Sequence, residues 1–147
     1  MSRAARIAVA AALSALAAGG VSAQAAATLP PGYPRAVFDW AVHADLAARV
    51  ARGCRGIGLN SELADARLGV ALAQAFSSGT AYLAWAGRPG RAAEEARVRA
   101  LVAGTVARLG ADAGYDIADR DQLCALGRAQ IAAGTPAGEL LFTGGRR

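Results

Sequence analysis

Lysine is missing altogether: the chain carries 16 arginines, 11 acids and one histidine. The arginines are scattered and interleaved with acids, as in Asp65/Arg67 and Glu94/Glu95/Arg97/Arg99. No basic run with interleaved aromatics forms a stripe that could track phosphates, so nucleic acid is not an expected partner. With His43 alone, a histidine-rich metal site is excluded, and catalysis by that imidazole lacks a partner nucleophile or metal set. Aromatic residues make up 5% of the chain, so any core must be built from alanine, valine and leucine. No polar/apolar alternation of useful length appears, which argues against a sheet. No internal repeat is visible. The arginine and alanine bias is that of a GC-rich bacterial genome and is not read as function.

Long hydrophobic runs are also scarce. The longest, Ile7 to Ala18, follows Arg3 and Arg6 and is broken by Gly19 and Gly20. It falls short of the roughly 20 residues that span a bilayer. Val21-Ser22-Ala23 and Ala23-Gln24-Ala25 place small residues where a signal peptidase reads them. Residues 1–25 therefore read as a signal peptide, with an uncleaved anchor as the competing reading. No cysteine follows the apolar run, so a lipoprotein anchor is not expected. The chain is expected to be periplasmic or secreted in a Gram-negative bacterium, with no stable membrane anchor after cleavage. Losing Arg3 and Arg6 leaves 14 arginines against 11 acids, a modest net charge of +3.

What remains reads as one all-α domain: a small bundle of about four helices plus a short C-terminal turn. Residues 26–34 are a Pro-rich linker, 35–143 a single helical domain and 144–147 a fraying tail. Val37, Trp40, Ala41, Ala44, Ala47 and Val50 share one helical face from about Arg35 to Arg52, and Gly53 stops that helix. Cys54 to Gly58 is expected as loop. Asn60 or Ser61 caps the next helix, with Glu62 in its first turn. Leu68, Leu72 and Phe76 form its apolar line, with Leu63, Ala66 and Val70 beside it. Val98, Leu101, Val102, Thr105, Val106 and Leu109 give the clearest periodicity, in a helix from Arg91 to Leu109 that Gly110 is expected to stop. Asp119 with Gln122 three residues on is a capping-box pattern for the last long helix, which Gly134 ends. Thr135 and Pro136 open a final short turn with an apolar foot at Leu140, Leu141 and Phe142. Between Gly79 and Gly90 lies an apolar run, Tyr82 to Ala86, that reads as a helix turn, a buried loop or an exposed patch. Tyr82 and Trp85 are either a wall of the thin core or a candidate interaction patch.

Cys54 and Cys124 are the only cysteines, and in an exported chain that count implies one intramolecular disulfide. Cys124 shares a helical face with Leu123, Gly127 and Ile131, and Gly127 is expected to make room for the loop around Cys54. The wide spacing is unlike the two-residue gap of a redox-active pair. Asp112, Asp116, Asp119 and Asp121 invite a calcium reading but lack EF-hand spacing and its terminal Glu. Gly53 to Gly58 fits neither a dinucleotide nor a P-loop pattern, and Ser77-Ser78-Gly79 lacks a nucleophile-elbow context. No catalytic, cofactor-binding or metal site is assigned.

The stretch Cys124–Thr135 (CALGRAQIAAGT), together with RVRAL at Arg97–Leu101 and GELL at Gly138–Leu141, resembles an uncharacterised family of short exported alphaproteobacterial proteins, a domain of unknown function. Cys54 looks like the family's first cysteine. In the middle the chain departs from the family's acid-rich helix start and has Gly79-Thr80-Ala81 and an apolar run instead. The resemblance implies a signal peptide, two paired cysteines and a helical fold, and it implies no activity. The expected function is thus a non-catalytic periplasmic accessory domain that binds an envelope protein. The alternative is a small envelope enzyme or thiol-redox factor using Cys54/Cys124 or His43.

Overall fold

The computed structural model describes residues 28–144; the signal-peptide expectation for 1–25 lies outside the described residues. Four long helices, α1 (Arg35–Gly53), α2 (Ser61–Ala75), α4 (Arg91–Asp112) and α5 (Arg120–Ala133), are joined by two short ones, α3 (Gly79–Ala86) and α6 (Pro136–Glu139). Two three-residue strands, β1 (Ile57–Leu59) and β2 (Leu141–Thr143), complete an all-α domain stapled by one disulfide.

Helix α1 is the centre, packed by α2, α4, α5 and α6. Its buried residues are Val37, Phe38, Val42, Leu46, Ala47 and Val50. That stripe is rotated from the expected one: Phe38, Val42 and Leu46 take the core, while Trp40, Ala41 and Ala44 turn toward a groove against α4. Phe38, Val42 and Leu46 each remove more apolar area from water than Ala41 or Ala44 would, roughly 1.5–3 kcal/mol each when fully buried, while Trp40 stays partly out so that its indole N–H can reach Ala64 O. Leu46, Leu126, Val50 and Val106 are the largest fully buried side chains, and among the described residues no polar or charged residue is buried.

Asn60 caps α2, its side chain accepting from Leu63 N at 3.0 Å. The buried residues of α2 are Ala64 and Ala71, not the leucine line. Small residues let α2 approach α1 closely enough for Trp40 Nε1 to donate to Ala64 O at 3.0 Å. Leu63, Leu68, Leu72 and Phe76 are half-buried flanks, and Val70 is 53% exposed.

In α4 the core stripe is Val98, Val102, Val106 and Gly110 at four-residue spacing, with Leu109 on the surface. Gly110 does not end this helix, which continues to Asp112. A Cβ at Gly110 would collide with Ile117 Cγ2, so this glycine admits the returning loop instead. The left-handed turn falls at Gly114, φ +83°. Asp119 caps α5 as expected, accepting from Gln122 N at 2.9 Å. The reciprocal half of the box is displaced, because Gln122 Oε1 accepts from Asp116 N at 2.8 Å. Gly134 (φ +59°) ends α5, and Thr135 caps α6 through Gly138 N at 3.1 Å. A Cβ at Gly138 would collide with Gln130 O, so α6 folds flat onto the end of α5.

The loop expected at Cys54–Gly58 and the apolar foot at Leu140–Phe142 meet as an antiparallel ribbon. Its register is Ile57↔Thr143, Gly58↔Phe142 and Leu59↔Leu141. Three residues are too few to show a period of two, which is why no strand was legible there. The Phe142 ring lies directly over Gly58, where any Cβ would clash.

Candidate functional site

Cys54 and Cys124 are bonded, with a Cα–Cα separation of 5.4 Å. Cys54 caps α1 and is 5% exposed; Cys124 packs against the same core. Arg120 Nε donates to Gly53 O at 2.7 Å, a second tie between the start of α5 and the end of α1. Gly127 makes room for Val50 of α1 rather than for the Cys54 loop. Cys54 is buried and Cys124 half-buried, and the two lie 70 residues apart, unlike the two-residue gap of a redox-active pair.

His43, half-buried on α1, borders a cleft of about 340 Å³ with Trp40, Arg67, Gln74, Glu139 and Leu140. Burial lowers its pKa below the usual histidine value, and the Asp39 carboxylate one turn back opposes that shift. The imidazole is therefore neutral at physiological pH. Arg67 and Glu139 are paired at 2.6 Å across the cleft, and Asp39 is held by Arg35 at 2.7 Å. Among the described residues that line the cleft none is serine, threonine or cysteine.

Three of the other sequence candidates, Ser78, Asp116 and Asp119, are engaged by the backbone. Ser78 Oγ accepts from Ala81 N at 3.1 Å and caps α3. Asp116 Oδ1 accepts from Ala118 N at 2.9 Å, and Asp119 caps α5. Among the described residues no group of three or more His, Cys, Asp and Glu gathers to hold a metal ion.

The Tyr82–Ala86 run is a helix, α3, uncharged along its whole length and with no buried residue. Its inner side carries Trp85 into an aromatic cluster outside the main core. Phe76 lies 5.1 Å and Tyr33 5.7 Å from the Trp85 ring, centroid to centroid, and Tyr82 packs on Phe76 at 5.7 Å. The Arg91 guanidinium stacks 3.8 Å from the Trp85 ring centroid, and Arg88 pairs with Glu94 beside it. Its outer side exposes Tyr82 (37%) and Leu83 (68%). The Tyr33 contribution was hidden in sequence, because Pro30-Pro31-Gly32-Tyr33 reads as linker. The tight turn there, closed by Tyr33 N donating to Pro30 O at 3.0 Å, sets the ring against Trp85 and Arg91.

Next to this cluster runs a groove of about 570 Å³ between α1 and α4. Tyr33, Trp40, Ala41, Ala44, Val98, Val102 and Ala103 give it apolar walls. Asp45, Arg49, Arg91, Glu95 and Arg99 stand along it. Asp45 and Arg49 pair at 2.7 Å, and Arg91 Nη2 pairs with Glu95 at 3.1 Å. Among the described residues no helix is long and apolar enough to cross a membrane. No protein-family model matches the chain, and neither a curated protein nor a solved structure matches it.

Proposed function

We propose that this chain is an exported, periplasmic accessory domain that acts by binding an envelope protein rather than by catalysis. The observation that carries the reading is α3: an eight-residue helix without a charge and without a buried residue, displaying Leu83 and Tyr82 to solvent. A folded chain gains little from leaving such a helix outside its core unless a partner covers it. The aromatic cluster behind it holds the helix in place, so the exposed side is presented on a firm base. The disulfide supports the periplasmic assignment, because such bonds persist in oxidising compartments. The resemblance of the Cys124–Thr135 stretch to exported alphaproteobacterial proteins points the same way.

A photo-crosslinking residue placed at Leu83 tests the proposal in cells. A discrete adduct with an envelope protein is expected from position 83, and none from Arg128, an exposed position on α5. Equal labelling from both positions, or none from Leu83, ends the interaction reading. The thiol-redox alternative predicts instead that Cys54→Ser traps a mixed disulfide through Cys124.

A further inference from the structure

We propose that the groove between α1 and α4 is a binding site for a monomeric single-chain amphiphile with one negative head group, an alkyl carboxylate, whose head is held by Arg99. The site lies apart from the exposed side of α3, and the inference does not depend on the protein-binding role proposed for that helix.

Three observations carry it. The first is shape and lining. Its volume of about 570 Å³ falls within the ~300–1,000 Å³ typical of small-molecule sites. Ala41, Ala44 and Ala103 keep it open where two packed helices would ordinarily fill the space with larger side chains. Trp40 and Tyr33 offer flat apolar walls, and the Trp40 indole is fixed by its bond to Ala64 O. Such a trough suits an alkyl chain.

The second is charge. Three arginines and two acids stand along the groove. Asp45 engages Arg49, and Glu95 engages Arg91. Arg99 has no acidic partner among the described residues, so the rim carries one uncompensated positive charge. A single anionic head satisfies it, whereas a cationic head would meet repulsion and a neutral head would leave it unpaired. A guanidinium also matches a carboxylate geometrically, with two parallel N–H donors.

The third is a missing hydrogen bond at the other end. Arg91 Nη1 is buried without a hydrogen-bond partner, 3.8 Å from Glu94 Oε2, and Trp85 Nε1 is likewise unpartnered. Buried donors of this kind are rare in folded proteins and call for explanation. Of the two, Arg91 lines the groove, so a donor at its Tyr33 end has no internal acceptor.

The test is calorimetric titration of the chain, purified from the periplasm, with dodecanoate below its aggregation concentration. Dodecanol and dodecyltrimethylammonium serve as probes with the same tail. Saturable one-to-one binding of dodecanoate is expected, about tenfold tighter than dodecanol, with the cation weakest. Arg99→Gln should erase the preference for carboxylate over alcohol while leaving alcohol affinity unchanged. Ala44→Leu should abolish binding of both with an unchanged circular dichroism spectrum. Ala103→Leu fills the trough from the α4 side and replaces it if Ala44→Leu does not fold. Four results would overturn the proposal: no saturable binding, equal affinity for the three head groups, binding to dodecanoate-containing vesicles but not to monomers, or a dimer in light scattering whose interface is this groove.

Discussion

Gly127 on α5 lies against Val50 on α1 so closely that a Cβ there would collide with Val50 Cγ1. The Val50 side chain has no room to move aside, since it is fully buried among its neighbours. Gly127→Ala should therefore push α5 off α1 and cost about 1–3 kcal/mol, the usual penalty for overpacking a core. That is a drop of roughly 4–15 °C in thermal melting for a domain of this size. Gly104→Ala is the control. It is an exposed helical glycine with nothing within 4 Å of its Cβ position, and the change should stabilise by about 0.5–1 kcal/mol. An unchanged melt for Gly127→Ala would mean the two helices do not approach as described.

The Cys54–Cys124 bond joins positions 70 residues apart. Its removal should lower stability by about 2–4 kcal/mol, mainly by freeing the unfolded chain. Far-ultraviolet circular dichroism of the reduced protein should still show helix, because the helical caps do not depend on the bond. A thiol assay in denaturant on protein isolated without reductant should find no free thiol. Two titratable thiols, or a disulfide-linked dimer on a non-reducing gel, would refute the intramolecular pairing.

His43 makes stability depend on pH in one direction. Its folded pKa is lowered by burial, so the unfolded chain binds a proton more readily than the folded one. Stability is then full above the unfolded value of about 6.5 and declines as pH falls below it toward the folded pKa. Thermal melts between about pH 5.5 and 7.5 should slope upward with pH, and His43→Gln should flatten that slope. A slope that survives the substitution would assign it to another group.

The two sides of α3 should respond differently. Trp85→Ala removes the ring that Tyr33, Phe76 and Arg91 pack on. Loss of that packing should cost about 1–3 kcal/mol, the range for a partly buried large apolar side chain. Leu83→Asp on the outer side should change stability by less than ~0.5 kcal/mol. Melting curves of the two variants decide the matter, and a large loss from Leu83→Asp would place that residue in the core.

Helix positions were legible because their punctuation is local. Asn60, Asp119 and Thr135 cap through their own side chains, and Gly134 takes the left-handed conformation that stops α5. The roles of Gly110, Gly127 and Gly138 were not, since each is decided by a segment remote in space or folded back on itself. A glycine that ends a helix and one that admits a neighbour are the same letter. The ribbon was missed for the same reason, its strands being three residues long and far apart in sequence. The groove was hidden because Tyr33 reads as linker and Ala41 and Ala44 read as part of the apolar face of the first helix. The Cys54–Cys124 pairing was legible by elimination alone.

The pairing of Leu59 with Leu141 also sets when the molecule can finish folding. A polypeptide emerges from synthesis with its N-terminal part first. Helix α1 and strand β1 arrive early, yet β1 finds its partner only after α6 has emerged. Until then Ile57 and Leu46, both buried in the finished protein, lack the cover of Leu140 and Leu141, which belong to the same core. A chain stopped before Leu140 would keep nearly all of its helices and both cysteines but present an open, protease-accessible flank. The C-terminal strand thus closes the fold last, and a prematurely terminated molecule would leave uncovered the Ile57 flank that the full-length one buries.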